Sequence, residues 1–184
     1  QVVVEVVAEP SNPSGRLVLQ DGVESSYVDI AHPERLGFEY QRHLASVIDV
    51  VHPKRLPLNL VQIGGGPCAV PRYLDATRRD LTATVAEIDG GVIDVARTYL
   101  GLDRHPRIAT RVGDGRRMLE DMPPGSADVV IVDAFLGVVV PGILMAVGMG
   151  GIHTFIARRR NYGVEPRTPL REMPKITLEA LPVL

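Results

Sequence analysis

The chain has 184 residues, 45% of them apolar, with 20 basic and 22 acidic side chains and a net charge of −2. That length and apolar content suit one domain with a core of its own, and the near-neutral charge removes the electrostatic case for nucleic acid, which needs a concentrated excess of Lys and Arg. Cys68 is the one cysteine, so no internal disulfide can form, and without a leader pattern at the start a reducing, cytoplasmic setting is expected. Arginine outnumbers lysine 18 to 2, which carries no functional weight here, and the first residue is Gln1, which leaves the native start open. The charge is uneven: residues 1–157 hold 14 basic and 19 acidic groups, and residues 158–184 hold 6 and 3.

Val2 to Val7 is a β-branched run, Pro10 to Gly15 is turn chemistry, and Arg16 to Gln20 is extended before Asp21-Gly22. A small antiparallel element is expected over residues 1–38. From Glu39 to Val51 the apolar residues Leu44, Val47, Ile48 and Val51 recur at helical spacing, and Pro53 and Pro57 stop the helix. The chain then alternates. Strands are expected at Leu58 to Ile63, Leu81 to Ile88, Arg107 to Val112 and Ala127 to Asp133, with helices at Val70 to Thr77, Val92 to Leu100 and Arg116 to Met122. In the second of these helices Val92, Ala96 and Tyr99 share the expected buried face. Strands without in/out alternation are covered on both sides, as in a parallel sheet flanked by helices. The fold class is therefore α/β: an N-terminal hairpin element, then a doubly wound, Rossmann-like parallel sheet over residues 39–137.

The pattern stops after that. Ala134 to Ala157 is a run of 24 residues without Asp, Glu, Lys or Arg, followed by Arg158-Arg159-Arg160. Its length would admit a membrane span, but Pro141 and five glycines make a poor helix, so no span is expected. Residues 138–184 read as an irregular tail.

The strongest local signal is Ile63-Gly64-Gly65-Gly66-Pro67-Cys68-Ala69, which follows a strand, precedes a helix and has the G-x-G-x-x-A spacing of a nucleotide-binding turn. Such a turn brings backbone N–H groups close to a ligand; tight packing alone would also explain it. Glu87, 23 residues after Gly64 in Glu87-Ile88-Asp89, stands where a carboxylate can accept ribose hydroxyls, and Asp89 suits a helix cap. Gly113-Asp114-Gly115 closes the third strand and Asp133 the fourth. Four successive strands thus end in a glycine turn or a carboxylate, at the edge where open α/β sheets bind ligands.

Taken together, Asp21-Gly22-Val23, Tyr40, Gly64-Gly65-Gly66, Glu87-Ile88-Asp89, Gly113-Asp114-Gly115 and Val130-Ile131-Val132-Asp133 resemble the spermidine synthase family of polyamine aminopropyltransferases, and in particular its divergent actinobacterial members. The resemblance spans roughly residues 15 to 137. It implies a methyltransferase-type sheet that binds decarboxylated S-adenosylmethionine or S-adenosylmethionine. By it, Gly64, Gly65 and Gly66 line the nucleoside and thioether, Glu87 holds the ribose, and Asp114 and Gly115 contact adenine. Asp133 faces the acceptor amine as the catalytic carboxylate that accepts or relays its proton, and Tyr40 positions the polyamine acceptor. Read without the resemblance, Asp133 could be an acid satisfied by backbone donors and Tyr40 a core aromatic.

The chain also departs from the family pattern. Pro67-Cys68-Ala69 replace Asp-Gly-Gly after the three glycines, Ser25 replaces a Gln, Leu136-Gly137 replace Asp-Pro, and Arg42 stands where an acid is usual. With Arg42 beside the acceptor, a diamine would be poorly served, so transfer is expected to be weak or lost. The family's continuation is expected to be cut short or altered after about residue 137, by divergence or by a shift of reading frame. That would leave a sheet edge open and favour a homo-oligomer. The alternatives on the same sheet are a small-molecule methyltransferase and a non-catalytic nucleoside- or partner-binding remnant. The five histidines are scattered, so no metal site is expected, and Cys68 is expected to be a small buried hydrophobe.

Overall fold

The computed structural model describes residues 2–133 together with two short strands, Ile143–Val147 and His153–Ala157. The chain opens with β1 (Val4–Glu9), β2 (Asn12–Gln20) and β3 (Val23–Asp29), an antiparallel sheet in the order β1-β2-β3. The turn expected over residues 10–15 is shorter than the Pro and Gly content suggests, because β2 already begins at Asn12. Pro13 is accommodated because the β1–β2 pairing breaks register there, passing from Glu9 opposite Asn12 to Ala8 opposite Arg16; a residue without an N–H is tolerated at such a bulge. β3, unread in the sequence, is set by the Asp21-Gly22 turn, where both residues have positive φ.

Helix α1 (Glu39–Val51) has the expected bounds and presents Gln41, Leu44, Ala45 and Ile48 to the core. Val51, expected on that face, is 39% exposed. Then follow β4 (Leu58–Gly64), α2 (Ala69–Thr77), β5 (Leu81–Glu87), α3 (Gly90–Leu100), a short 3-10 turn, β6 (Ile108–Val112), α4 (Gly115–Glu120) and β7 (Val129–Asp133). Asp89 caps α3 by accepting from the Gly91 amide, and Gly101 closes it in the left-handed region at φ 65°. The buried side of α3 is Val92, Ile93, Ala96 and Leu100. Tyr99 is 66% exposed: the phase of the helix is fixed by Leu100, one residue further on, and a turn of 100° per residue carries Tyr99 outward.

The four central strands are parallel in the order β6-β5-β4-β7. Leu58 and Leu60 of β4 join Ile48, Leu74, Val85, Leu100 and Ile131 in the main core. Val61, on the opposite side of the same strand, packs with Val130 against Met118, Leu119 and Met122 of the α4 region. Both faces are therefore covered, which is why these strands read as continuous apolar runs. The chain winds outward from β4 to β5 and β6, then returns to the other flank of β4 as β7. That reversal is the switch point of a doubly wound sheet, and it opens a crevice at the carboxyl ends of β4 and β7.

Beyond Asp133 the structure describes β8 (Ile143–Val147) paired antiparallel with β9 (His153–Ala157). Two strands thus lie within the stretch read as an irregular tail. The remainder of that segment, including the arginine triplet, lies outside the described residues. Among the described residues no helix is long and apolar enough to cross a membrane.

Candidate functional site

A pocket of about 550 Å³ lies at the carboxyl edge of the parallel sheet, roofed by the β2–β3 hairpin and the start of α1. Tyr40, Gly64, Gly65, Gly66, Glu87, Asp114, Gly115 and Asp133 all line it, so residues spread over 94 positions meet in one cavity.

The glycine loop follows from local stereochemistry. Gly64, Gly65 and Gly66 have φ of 72°, 105° and 48°, a conformation that side chains resist. A Cβ on Gly65 would also overlap the buried Gln62 amide. The loop leads into α2 through Cys68, itself left-handed at φ 64°. Burial pushes the Cys68 thiol up to about 12, and it is fully buried, so it packs as a hydrophobe. Arg72, 1% exposed, braces the loop from behind: its Nε donates to the Pro67 carbonyl at 2.8 Å and its Nη1 to the Leu100 carbonyl at 2.6 Å.

Each acid at the ends of β5 and β6 is tied to backbone. Glu87 is buried, and its carboxylate accepts from the Gly66 and Asp89 amides, both at 3.2 Å. Asp89 accepts from the Val2 and Gly91 amides, which hold its carboxyl below the ordinary range. Asp114 caps α4 through the Arg116 amide at 2.8 Å. Gly115 is required by packing, since a Cβ there would overlap the Ile63 side chain.

Asp133 is held differently. It pairs with Gly64 across β4 and β7 in the sheet register, and no backbone donor to its side chain lies among the described residues. Its Oδ2 accepts from the Tyr40 hydroxyl at 3.3 Å. Burial raises the Asp133 pKa, the nearby Glu87 charge adds to it, and the Tyr40 bond opposes it. Burial and the Asp133 charge raise the Tyr40 phenol in turn, so Tyr40 stays a protonated donor. Gln41 extends the chain, its Nε2 donating to Tyr40 Oη at 3.3 Å and to Ser26 Oγ at 3.4 Å. Arg42, expected beside the acceptor, turns away. It is exposed, does not line the pocket, and donates to the Leu36 and Gly37 carbonyls. Successive residues on a helix point about 100° apart, so Gln41 takes the inward direction and Arg42 the outward one.

The electrostatics are one-sided. Among the described residues five carboxylates line the pocket (Glu24, Glu87, Asp89, Asp114 and Asp133) and no Lys, Arg or His does. Such a cavity favours a cation and disfavours a ligand carboxylate. Sequence reasoning missed Gln20, Glu24 and Ser26, which reach the pocket only because the hairpin folds over the sheet; the Asp21-Gly22 turn was their one local signal. Among the described residues no group of three His, Cys, Asp or Glu could hold a metal ion.

No family model matches the chain. Spermidine synthase 2 of Hyoscyamus niger is 31% identical over 134 residues, covering 70% of this chain and 41% of that protein. Polyamine aminopropyltransferase of Pyrobaculum neutrophilum is 32% identical over 137 residues, covering 70% of this chain and 44% of that one. The chain thus spans less than half the length of these curated relatives. Among solved structures, a probable spermidine synthase from Corynebacterium glutamicum superposes with a TM-score of 0.68 at 33% identity, over 76% of this chain and 51% of that one. A spermidine synthase in complex with the transition state analogue AdoDATO superposes at 0.58 with 25% identity, over 75% and 45%. The crevice at the switch point, its glycine loop and its strand-end acids therefore belong to a divergent spermidine synthase-like chain, similar to the polyamine aminopropyltransferases in both sequence and fold.

Proposed function

We propose that the pocket binds decarboxylated S-adenosylmethionine and that the chain transfers its aminopropyl group to a polyamine. The observation that supports this reading is the lining among the described residues: five carboxylates without a Lys, Arg or His suit a ligand bearing a sulfonium and an ammonium. The same lining weighs against the methyltransferase reading, because the carboxylated form would bring a further negative charge with no Lys, Arg or His among the described lining residues to meet it. In this reading Glu87 takes the ribose, Asp114 and Gly115 the adenine, and the glycine loop the thioether.

The ligand's sulfonium supplies the leaving group: the acceptor nitrogen's lone pair forms the new C–N bond as the C–S pair withdraws onto sulfur, leaving a neutral thioether. The protein's task is to orient the amine and keep it unprotonated. Asp133 takes the amine proton, and its raised pKa narrows the gap to an ammonium, which makes it a better acceptor than an exposed carboxylate. The Tyr40 hydroxyl fixes the Asp133 carboxylate from the α1 side. With Arg42 facing away, the acceptor end keeps its negative field, which supports polyamine binding and removes one ground for expecting lost activity.

Assembly as a homo-oligomer and a cytoplasmic setting belong to the same proposal. The deciding experiment is calorimetric titration with decarboxylated S-adenosylmethionine, S-adenosylmethionine and methylthioadenosine, followed by assay for methylthioadenosine release with putrescine or spermidine. Preference for the carboxylated form would replace this reading with the methyltransferase one. Tight binding without release would leave a non-catalytic nucleoside-binding protein, and no binding by folded protein would sink both enzymatic readings.

A further inference from the structure

Gln20 ends β2 at the turn into β3, and the reaction as described gives it no part. Its neighbours around the turn are paired, Asp21 accepting from the Val3 amide and Ser25 donating to the Val18 carbonyl. The Gln20 side chain, 8% exposed and lining the pocket, has no hydrogen-bond partner among the described residues. An amide offers two N–H donors and a carbonyl acceptor, and no protein group among the described residues takes any of them, so at the pocket wall they are free to pair with a bound molecule. Its position is defined: a Cβ on Gly66 would stand 3.4 Å from the Gln20 amide nitrogen.

Strand order says what part of a ligand reaches that point. In the order β6-β5-β4-β7, a nucleoside with its base at Asp114 and its ribose at Glu87 has used the ends of β6 and β5. Its sulfur and the arm beyond fall at β4 and β7, where Gly66, Gln20 and Asp133 stand. We infer that Gln20 is a ligand-binding residue whose amide carbonyl accepts a hydrogen bond from the terminal ammonium on the alkyl arm of an adenosyl sulfonium. The inference rests on the proposed reading of the pocket. A neutral acceptor is suited to this place, because it pairs the ammonium without adding a sixth negative charge to a pocket that already crowds five.

The test is calorimetry on Gln20→Leu, with Gln20→Met as a second variant should the branched side chain disturb the strand. Decarboxylated S-adenosylmethionine carries the ammonium arm and methylthioadenosine lacks it. Affinity for the first is expected to fall roughly ten- to hundredfold, as for a lost hydrogen bond to a charged group, and for the second by less than about threefold. The Tm of the unliganded variant is expected to hold, since the Gln20 side chain makes no hydrogen bond among the described residues. Equal losses for both ligands, unchanged affinity, or a clear drop in Tm with both substitutions would overturn the inference. If the unaltered protein binds neither nucleoside, the reading of the pocket fails and the inference with it; if it binds both and the variants do too, only the inference fails.

Discussion

The two ends of the parallel sheet put the same kinds of charge to opposite use. Where the strands begin, acids are matched with cations: Asp49 accepts from Arg78 Nη2 at 2.8 Å and lies 3.1 Å from Lys54 Nζ, and Asp75 lies 2.6 Å from Arg107 Nε, with the His105 ring Nδ1 at 2.7 Å. These contacts tie the ends of α1 and α2 to the segments entering β4 and β6. Where the strands finish, five carboxylates share one cavity whose lining among the described residues holds no Lys, Arg or His. Matched charges in a partly buried setting cancel and hold elements together, whereas carboxylates without a side-chain counter-ion leave a negative field that favours a cationic ligand. A pocket with such a field destabilises the empty protein somewhat, which is a usual property of binding sites.

This contrast can be broken at either end. The largest effect is expected from Asp133→Asn, which keeps the shape and removes the proton acceptor: methylthioadenosine release should fall roughly 10²- to 10⁴-fold while nucleoside affinity stays close to that of the unaltered protein. Glu87→Gln comes next. It leaves the side-chain size but removes the charge proposed to meet the ribose and weakens the hold on the Gly66 amide, so nucleoside affinity by calorimetry should drop roughly ten- to hundredfold.

At the other end, Asp75→Asn should leave ligand affinity unchanged and cost about 2–3 kcal/mol in urea unfolding, somewhat below a fully buried pair because Arg107 is 35% exposed. Were Asp75→Asn to change affinity instead, the division of labour between the two ends would be wrong. The smallest effect sharpens it. Asp133 has its pKa raised in the folded protein, so the folded state binds the proton more tightly and stability falls as pH rises from the ordinary carboxylate range through the raised value. Asp133→Asn should therefore melt slightly higher than the unaltered protein at neutral pH, and the difference should close as pH falls below that window. A variant that melts lower at neutral pH would show that the Asp133 charge is already compensated.

Much of the fold could be read directly. The bounds of α1 came from the spacing of Leu44 and Ile48 and from Pro53, and the parallel strands from their unbroken apolar runs, because both patterns are consequences of burial on one helix face or on two sheet faces. Reading failed where a single residue decides direction. Val51 and Tyr99 fit helical spacing yet face water, and Arg42 differs from Gln41 only by a turn of the helix that the sequence does not phase. The early start of β2 was obscured by Pro and Gly, whose turn signal in residues 10–15 is partly absorbed by a register break, and β3 by its polar stretch Glu24-Ser25-Ser26.

For the site, the sequence by itself determined the glycine loop and the acids at the ends of β5 and β6. The left-handed φ values of Gly64 to Gly66, the Asp89 and Asp114 caps, and the Glu87 bond to the Asp89 amide all arise where a strand gives way to a turn or helix. Tertiary structure alone decided the other half. Tyr40 and Asp133 are 93 residues apart and meet only when α1 packs beside β7. Gln20 and Glu24 enter the pocket only when the hairpin closes over the sheet. The physical reason is range: backbone stereochemistry and capping act over a few residues and leave a mark in the local sequence. Burial, the direction of a side chain and the raising of a carboxylate's pKa depend on which distant elements the core brings together.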